Sequence, residues 1–138
     1  MILKENTKEK IEHAEDAARA CRAILHMEDL ASRDREHFWI IGLNAKNTVK
    51  YVELCSLGTL TNSIVHPRET FMMAVLKRAA SIIAVHNHPS GDVTPSKEDI
   101  EITDRLAKAG EILGIKLLDH IVIGNCTGYK SILNKGGE

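Results

Sequence analysis

The stretch Val85-His86-Asn87-His88-Pro89-Ser90-Gly91, continued as Asp92-Val93-Thr94-Pro95-Ser96-Lys97-Glu98-Asp99, follows an apolar run beginning at Ala79. It decides how the rest of the chain is read. His86 and His88 stand two apart, so on a strand over Ser81 to His88 their side chains leave the same face, with Asn87 on the opposite one. Ser96 followed by Asp99 has the spacing of a helix start, an N-cap serine with an acidic residue three positions on. Asp99 then lies in the first helical turn and can turn back towards the strand end. Without Asp99 the two histidines read equally well as ordinary strand-end residues. With it, two imidazoles and a carboxylate, plus a fourth position for water, make the donor set of a catalytic zinc rather than a structural one. Iron or manganese suit the same donors.

Outward from this stretch, Ser81 to Val85 is short, apolar and without alternation, as expected of an internal strand covered on both faces. A helix is predicted from Lys97 to Leu113, with Ile100, Thr103, Leu106, Ala107 and Ala109-Gly110 inward and Gly114 ending it. Lys116 to Gly124 reads as the next strand, and Tyr129 to Leu133 as one further short element. Upstream, Pro67 and Glu69 open a helix whose broad apolar face is expected from Phe71, Met72, Val75, Leu76 and Ala79, with His66 as its cap. Leu60 to His66 is expected as an edge strand or extended arm, and the part from Leu60 to Val65 suggests pairing with a second copy, a possible homodimer.

His37 to Leu43 and Thr48 to Leu57, joined by Asn44 to Asn47, give the pattern of an antiparallel hairpin. Trp39 and Phe38 belong to its core rather than to a base-stacking platform. In the second strand Val49, Tyr51 and Glu53 are expected on one face. Met27 to Arg35 reads as a charged connection. At the start of the chain, Asn6-Thr7-Lys8-Glu9 has capping-box spacing, and Ile11, Ala14, Ala18, Cys21 and Leu25 recur at helical steps. These predict an amphipathic helix over about 7–26. The whole describes a single α/β domain, 1–138, with a mixed sheet flanked by helices and a metal-site core over about 36–124. The metal-ligand candidates sit at the carboxyl end of an internal strand, where open α/β sheets place their ligands.

Composition bounds the function. A chain of 138 residues, 43% hydrophobic and 27% charged, is long enough for a sizeable core and argues against disorder. Its formal net charge of -1 is unlike the balance of a dedicated nucleic-acid binder. No apolar run is long enough to span a membrane and no secretory leader opens the chain, which places it in the cytoplasm as an expectation. Cys21, Cys55 and Cys126 form neither a disulfide framework nor a paired metal knuckle.

The His86-x-His88 pair, with Ser96 and Asp99 at their spacing, resembles the signature of the JAB/MPN+ (JAMM) metalloprotease fold, that of deubiquitinating isopeptidases. The wider wording HNHPSGDVTPSKEDIEITDRLAKAGEILGIKLLDHIVIG, with TNSIVHPRETF upstream, is similar to the bacterial RadC family, historically named for DNA repair. The likeness runs from roughly Ala31 to Ile132. It implies a three-layer, cytidine-deaminase-like α/β sandwich with one zinc on His86, His88 and Asp99. It also implies a catalytic glutamate from the start of the domain, and the glutamate in the matching position is Glu36. Full-length members carry an N-terminal helix-hairpin-helix region that a chain of this length cannot contain, so nucleic-acid binding is the weaker expectation.

The chemistry follows from the donors. A metal held by two neutral imidazoles and one carboxylate keeps net positive charge and acidifies a water from about 15.7 towards roughly 7. Glu36 would take the proton of that water and pass it to the leaving amine. The Ser96 hydroxyl would donate to the developing oxyanion; losing one such donor typically costs about 2.7 to 4 kcal/mol. The expected activity is zinc-dependent hydrolysis of a peptide or isopeptide bond, with a DNA-associated repair factor as the alternative. His120, beside Asp119, reads either as a partner of a metal ligand or as a buried or cap-bonding histidine.

Overall fold

A computed structural model describes residues 1–61 and 63–134. Six strands form one mixed sheet in the order β1-β3-β2-β4-β5-β6: β1 Ile2–Glu5, β2 His37–Leu43, β3 Val49–Leu57, β4 Ser81–His88, β5 Lys116–Gly124 and β6 Tyr129–Ser131. Neighbours pair antiparallel except β4 with β5, which run parallel. Helices α1 (Ala14–Leu25) and α2 (Leu30–Arg33) precede β2, α3 (Pro67–Leu76) precedes β4, and α4 (Lys97–Leu113) crosses from β4 to β5.

Every residue of β2 is buried, and β4 is buried up to His88. Both are apolar on two faces because both faces are covered. On one face Trp39, Ile41, Ile83, Val85, Ile121 and Ile123 pack under the Ala17, Ala18, Cys21, Ile24 and Leu25 stripe of α1. On the other, Phe38, Ile40, Ile82 and Ala84 pack against Phe71 and Ala74 of α3 and Ile102 and Leu106 of α4. The result is the expected helix–sheet–helix layering. Period-2 alternation along β4 therefore sends His86 towards the α3/α4 layer and Asn87 towards the α1 side.

The β2–β3 hairpin forms as predicted. The Asn44 carboxamide oxygen accepts from the N–H groups of Lys46 and Thr48, and Asn47 takes a left-handed φ of 63°. Gly114 ends α4 with φ 74°, a conformation in which glycine carries no Cβ penalty.

Several expectations need correction. The first helix spans Ala14–Leu25 rather than 7–26. The backbone of the preceding segment is drawn to β3 instead: Val49 N–H donates to Glu9 O, Ile11 N–H to Asn47 O, and the Thr7 hydroxyl to Val49 O. The helix is started by Asp16, whose carboxylate accepts from the N–H groups of Glu12 and His13. Strand β1 was not anticipated, nor was α2, capped by Asp29 within the charged connection.

On α3 the buried stripe is Thr70, Phe71 and Ala74, whereas Met72, Val75 and Leu76 are exposed. Ala79 is buried but lies beyond the helix end. His66 occupies the N-cap position without a capping side-chain bond. On α4 Ile102 is buried where Ile100 was expected; Ile100 is 54% exposed. A register irregularity between Gly42 and Leu43 puts Val49 and Tyr51 in opposite layers.

Leu60–His66 forms no strand among its described residues, and Leu60 and Val65 are buried in the α3/α4 core. Asn62, in the middle of the expected arm, lies outside the described residues, as do residues 135–138 of the expected domain span. Among the described residues no helix is long and apolar enough to cross a membrane.

Candidate metal centre

Two elements bring the predicted donors together. β4 delivers His86 and His88 from its carboxyl end on one face, and the first turn of α4 returns Asp99 to them. The helix start is a reciprocal cap. The Ser96 hydroxyl oxygen accepts from Asp99 N–H at 3.0 Å, and Asp99 Oδ2 accepts from Ser96 N–H at 2.8 Å. The cap fixes the aim of the carboxylate, which is 2% exposed.

His86 Nε2 lies 3.0 Å from His88 Nε2 and 3.2 Å from Asp99 Oδ1, and His88 Nε2 lies 3.1 Å from Asp99 Oδ2. Donors at 2.0–2.1 Å around a tetrahedral zinc would stand about 3.3 Å apart, close to these separations, although the two rings meet different oxygens of the carboxylate. The chemistry of the donors fits as well. His88 Nδ1 lies 2.8 Å from the carbonyl oxygen of Asp92, which can only accept. In neutral His88 the ring hydrogen is therefore on Nδ1, and the bare Nε2 faces a carboxylate. Such a meeting of lone pairs calls for a cation at the centre.

In the metal-free chain a proton can fill that place instead, as an Nε2–H of His88 donated to Asp99. Burial works to raise the Asp99 carboxyl, but hydrogen bonding with His86 and His88 outweighs it and holds the group far below the usual carboxylate range. The Asp99 hydrogen bond lifts His88 above the ordinary imidazole value, against the opposing effect of its burial.

Glu36 comes from the turn before β2. It offers a carboxylate oxygen in a group with His86 and His88 whose ligand atoms all lie within 4.8 Å of one another. Two carboxylates thus flank the imidazole pair. Asp99 is the closer and almost wholly buried. Glu36 is half-buried and lines an open cavity of about 380 Å³ with Asp34, Arg35, Thr59, His88, Pro89 and Ser90. Spacing and exposure suit Asp99 to holding an ion, and Glu36 to meeting a solvent molecule beside it. Ser96 is exposed, with its oxygen taken up by the cap and its O–H hydrogen left to donate. Of the five predicted residues, Glu36 and His88 line the cavity; His86 and Asp99 meet His88 away from its wall, and Ser96 joins the group through its cap with Asp99.

Two supports of the centre were only partly visible in the sequence. His120, on β5, is fully buried against Phe38, with Nε2 2.9 Å from His86 Nδ1. Its Nδ1 lies 2.6 Å from the hydroxyl of Thr103, which donates to the backbone carbonyl of Asp99 at 2.7 Å. Burial, reinforced by the nearby His86, pushes His120 well below the ordinary imidazole value. Asn87, on the opposite face of β4, holds the turn that carries Glu36. It accepts from His37 N–H at 2.6 Å and donates to Arg35 O at 3.1 Å and to Asn125 Oδ1 at 2.8 Å. Thr103 carried only an inward-facing signal, and Asn87 only an opposite-face one. The Asn87 partners and the His120 partner of Thr103 are distant in sequence, so no local pattern marks those contacts.

A family model for a RadC-like JAB domain matches residues 11–137. The chain is 57% identical over 112 residues to a UPF0758 protein of Desulforamulus reducens, covering 81% of this chain and 49% of that one. It is 59% identical over 103 residues to a UPF0758 protein of Desulforudis audaxviator, covering 75% and 45%. A UPF0758 protein of Geobacillus kaustophilus is 57% identical over 110 residues, covering 80% and 48%. The chain spans about half the length of the curated relatives it matches.

Proposed function

The chain belongs to the RadC-like JAB domain family, and from that premise we propose that it is a zinc-dependent hydrolase of peptide or isopeptide bonds, with His86, His88 and Asp99 holding the ion. The observation that carries this reading is the meeting of two imidazole nitrogens and the two oxygens of a buried carboxylate at 3.0–3.2 Å, with His88 and a second carboxylate, Glu36, on the wall of one cavity. Two imidazoles and one carboxylate suit zinc among the common divalent ions. Bound there, zinc supplies a Lewis acid that polarises the scissile carbonyl and makes a nearby water more acidic.

The protein's own groups do the rest. Glu36 accepts a proton from the attacking water and hands it to the departing amine, a shuttle that its half-buried place at the cavity wall allows. Ser96 donates its free O–H hydrogen to the oxygen on which negative charge develops. Asp99, kept ionised by its histidine partners, stays a ligand and does not compete for the proton. Asn87 holds Arg35 and His37 on either side of Glu36, which restricts where that carboxylate can swing.

A net charge of -1 favours a protein or peptide substrate over nucleic acid. The three free cysteines suit a reducing compartment such as the cytoplasm. The test is elemental analysis of the purified chain followed by cleavage of a peptide library. About one zinc per chain and metal-dependent cleavage are expected. A protein that takes up no zinc, or cuts equally well after chelation, refutes the reading.

A further inference from the structure

We propose that His120 and Thr103 form a positioning relay that sets the ring hydrogen of His86 and thereby aims its Nε2 lone pair at the centre. This inference rests on the zinc reading. It starts from three contacts in series: His86 Nδ1 to His120 Nε2 at 2.9 Å, His120 Nδ1 to Thr103 Oγ1 at 2.6 Å, and Thr103 Oγ1 to the Asp99 carbonyl oxygen at 2.7 Å.

With an ion on His86 Nε2, the ring's single hydrogen sits on Nδ1. That hydrogen faces His120 Nε2, which must accept it. An Nε2 that accepts carries no hydrogen, so the His120 ring hydrogen lies on Nδ1 and is donated to the Thr103 oxygen. The Thr103 hydroxyl hydrogen is then directed to the carbonyl of Asp99. Each member has one hydrogen to give and one lone pair to receive, so the order runs one way.

The relay begins on one proposed ligand and ends on the backbone of another. It ties β4, β5 and α4 together behind the centre, with Phe38 edge-on to His120 at a ring separation of 5.8 Å. Partners of this kind fix the tautomer and orientation of a ligating imidazole, and their loss typically weakens metal binding about 10- to 100-fold.

The experiment is zinc affinity by chelator competition on native protein, His120→Gln and His120→Phe, with long-range 1H–15N imidazole spectra of the zinc-loaded native protein. Glutamine keeps an acceptor near the place of Nε2 and is expected to bind zinc close to native affinity. Phenylalanine fills the space without an acceptor and is expected to bind about 10- to 100-fold more weakly. The spectra are expected to show both His86 and His120 with hydrogen on Nδ1. Equal affinity in all three proteins, or equal loss in both variants, overturns the proposal while leaving the zinc site standing. Native protein that binds no zinc removes the zinc reading and the relay with it. Should His120→Phe not fold, the spectrum decides alone: a His120 hydrogen on Nε2 in the loaded protein overturns the relay.

Discussion

The carboxamide oxygen of Asn87 accepts a 2.6 Å hydrogen bond from the backbone N–H of His37, across the sheet and fifty residues away. The same carboxamide donates to Arg35 O, so the residues on both sides of Glu36 are fastened to the strand that bears the histidine pair. Asn87→Ala leaves the buried His37 N–H without a partner, a deficit worth about 1–3 kcal/mol. Urea unfolding is expected to show that loss, while zinc uptake stays near native. A neutral effect on stability would mean the turn is held by other contacts.

Asp99→Ala removes one corner of the donor triangle and leaves two imidazoles facing each other at 3.0 Å. Zinc content is expected to fall from about one per chain to a small fraction, with the fold retained by circular dichroism. In the native protein, free zinc at 100 times its dissociation constant should raise stability by about 2.7 kcal/mol. Asp99→Ala should show no such gain in a thermal melt. An occupied site in the variant would take Asp99 off the ligand set.

Glu36→Gln separates the two parts a second carboxylate can play. If Glu36 moves protons without holding the ion, zinc content is unchanged and cleavage of a peptide substrate falls about 10²- to 10⁴-fold. Lost zinc would instead make Glu36 a ligand.

Stability should respond to acid through His120. Burial lowers its folded value well below 6.5, the ordinary imidazole value that it keeps when unfolded. Between those two values the unfolded chain binds a proton that the folded chain refuses, so stability falls as pH drops through about 6.5. His88 has the opposite sign in the metal-free chain. Its folded value is raised, so its contribution is full below the ordinary imidazole range and is lost as pH rises through the folded value. The difference in unfolding free energy between native protein and His120→Gln isolates the first effect. Native protein should lose more stability than the variant between pH 7 and pH 5, and identical slopes would contradict the assignment.

Packing at the end of α4 offers a test away from the centre. A Cβ on Gly110 would come 2.4 Å from the backbone oxygen of Ile115 and 3.3 Å from the Phe71 ring. A main-chain atom cannot swing aside, so Gly110→Ala should cost about 1–3 kcal/mol in chemical unfolding, against the small gain alanine brings in an open helix. A stabilised variant would show that the β5 entry can shift.

Much of the fold was legible because its signals are local. β2 and β4 announce themselves as apolar runs, the Asn44–Asn47 turn by its polar residues, and α4 by a serine, an aspartate and a closing glycine at helical spacing. The misread segments fail for one reason. Asn6 to Glu9 has the right letters for a helix cap, but the neighbouring strand offers its backbone better partners, and no local pattern reveals that. On α3 five apolar residues suggested a broad face, yet only the stripe through Phe71 and Ala74 meets the sheet.

By itself the sequence determined the identity and order of the candidate donors: a histidine pair on one strand face, then a carboxylate in the next helix's opening turn. Backbone periodicity and capping chemistry act over three or four residues, so such facts survive without a partner in view. Only the tertiary structure decided that the donors meet at 3.0–3.2 Å, that Glu36 stands at the wall of the same cavity, and that His120 backs His86. Glu36 stands fifty positions from His86 and His120 thirty-four from it, and even the nearer donors take their mutual aim only once burial on both faces of the sheet has set strand order and register.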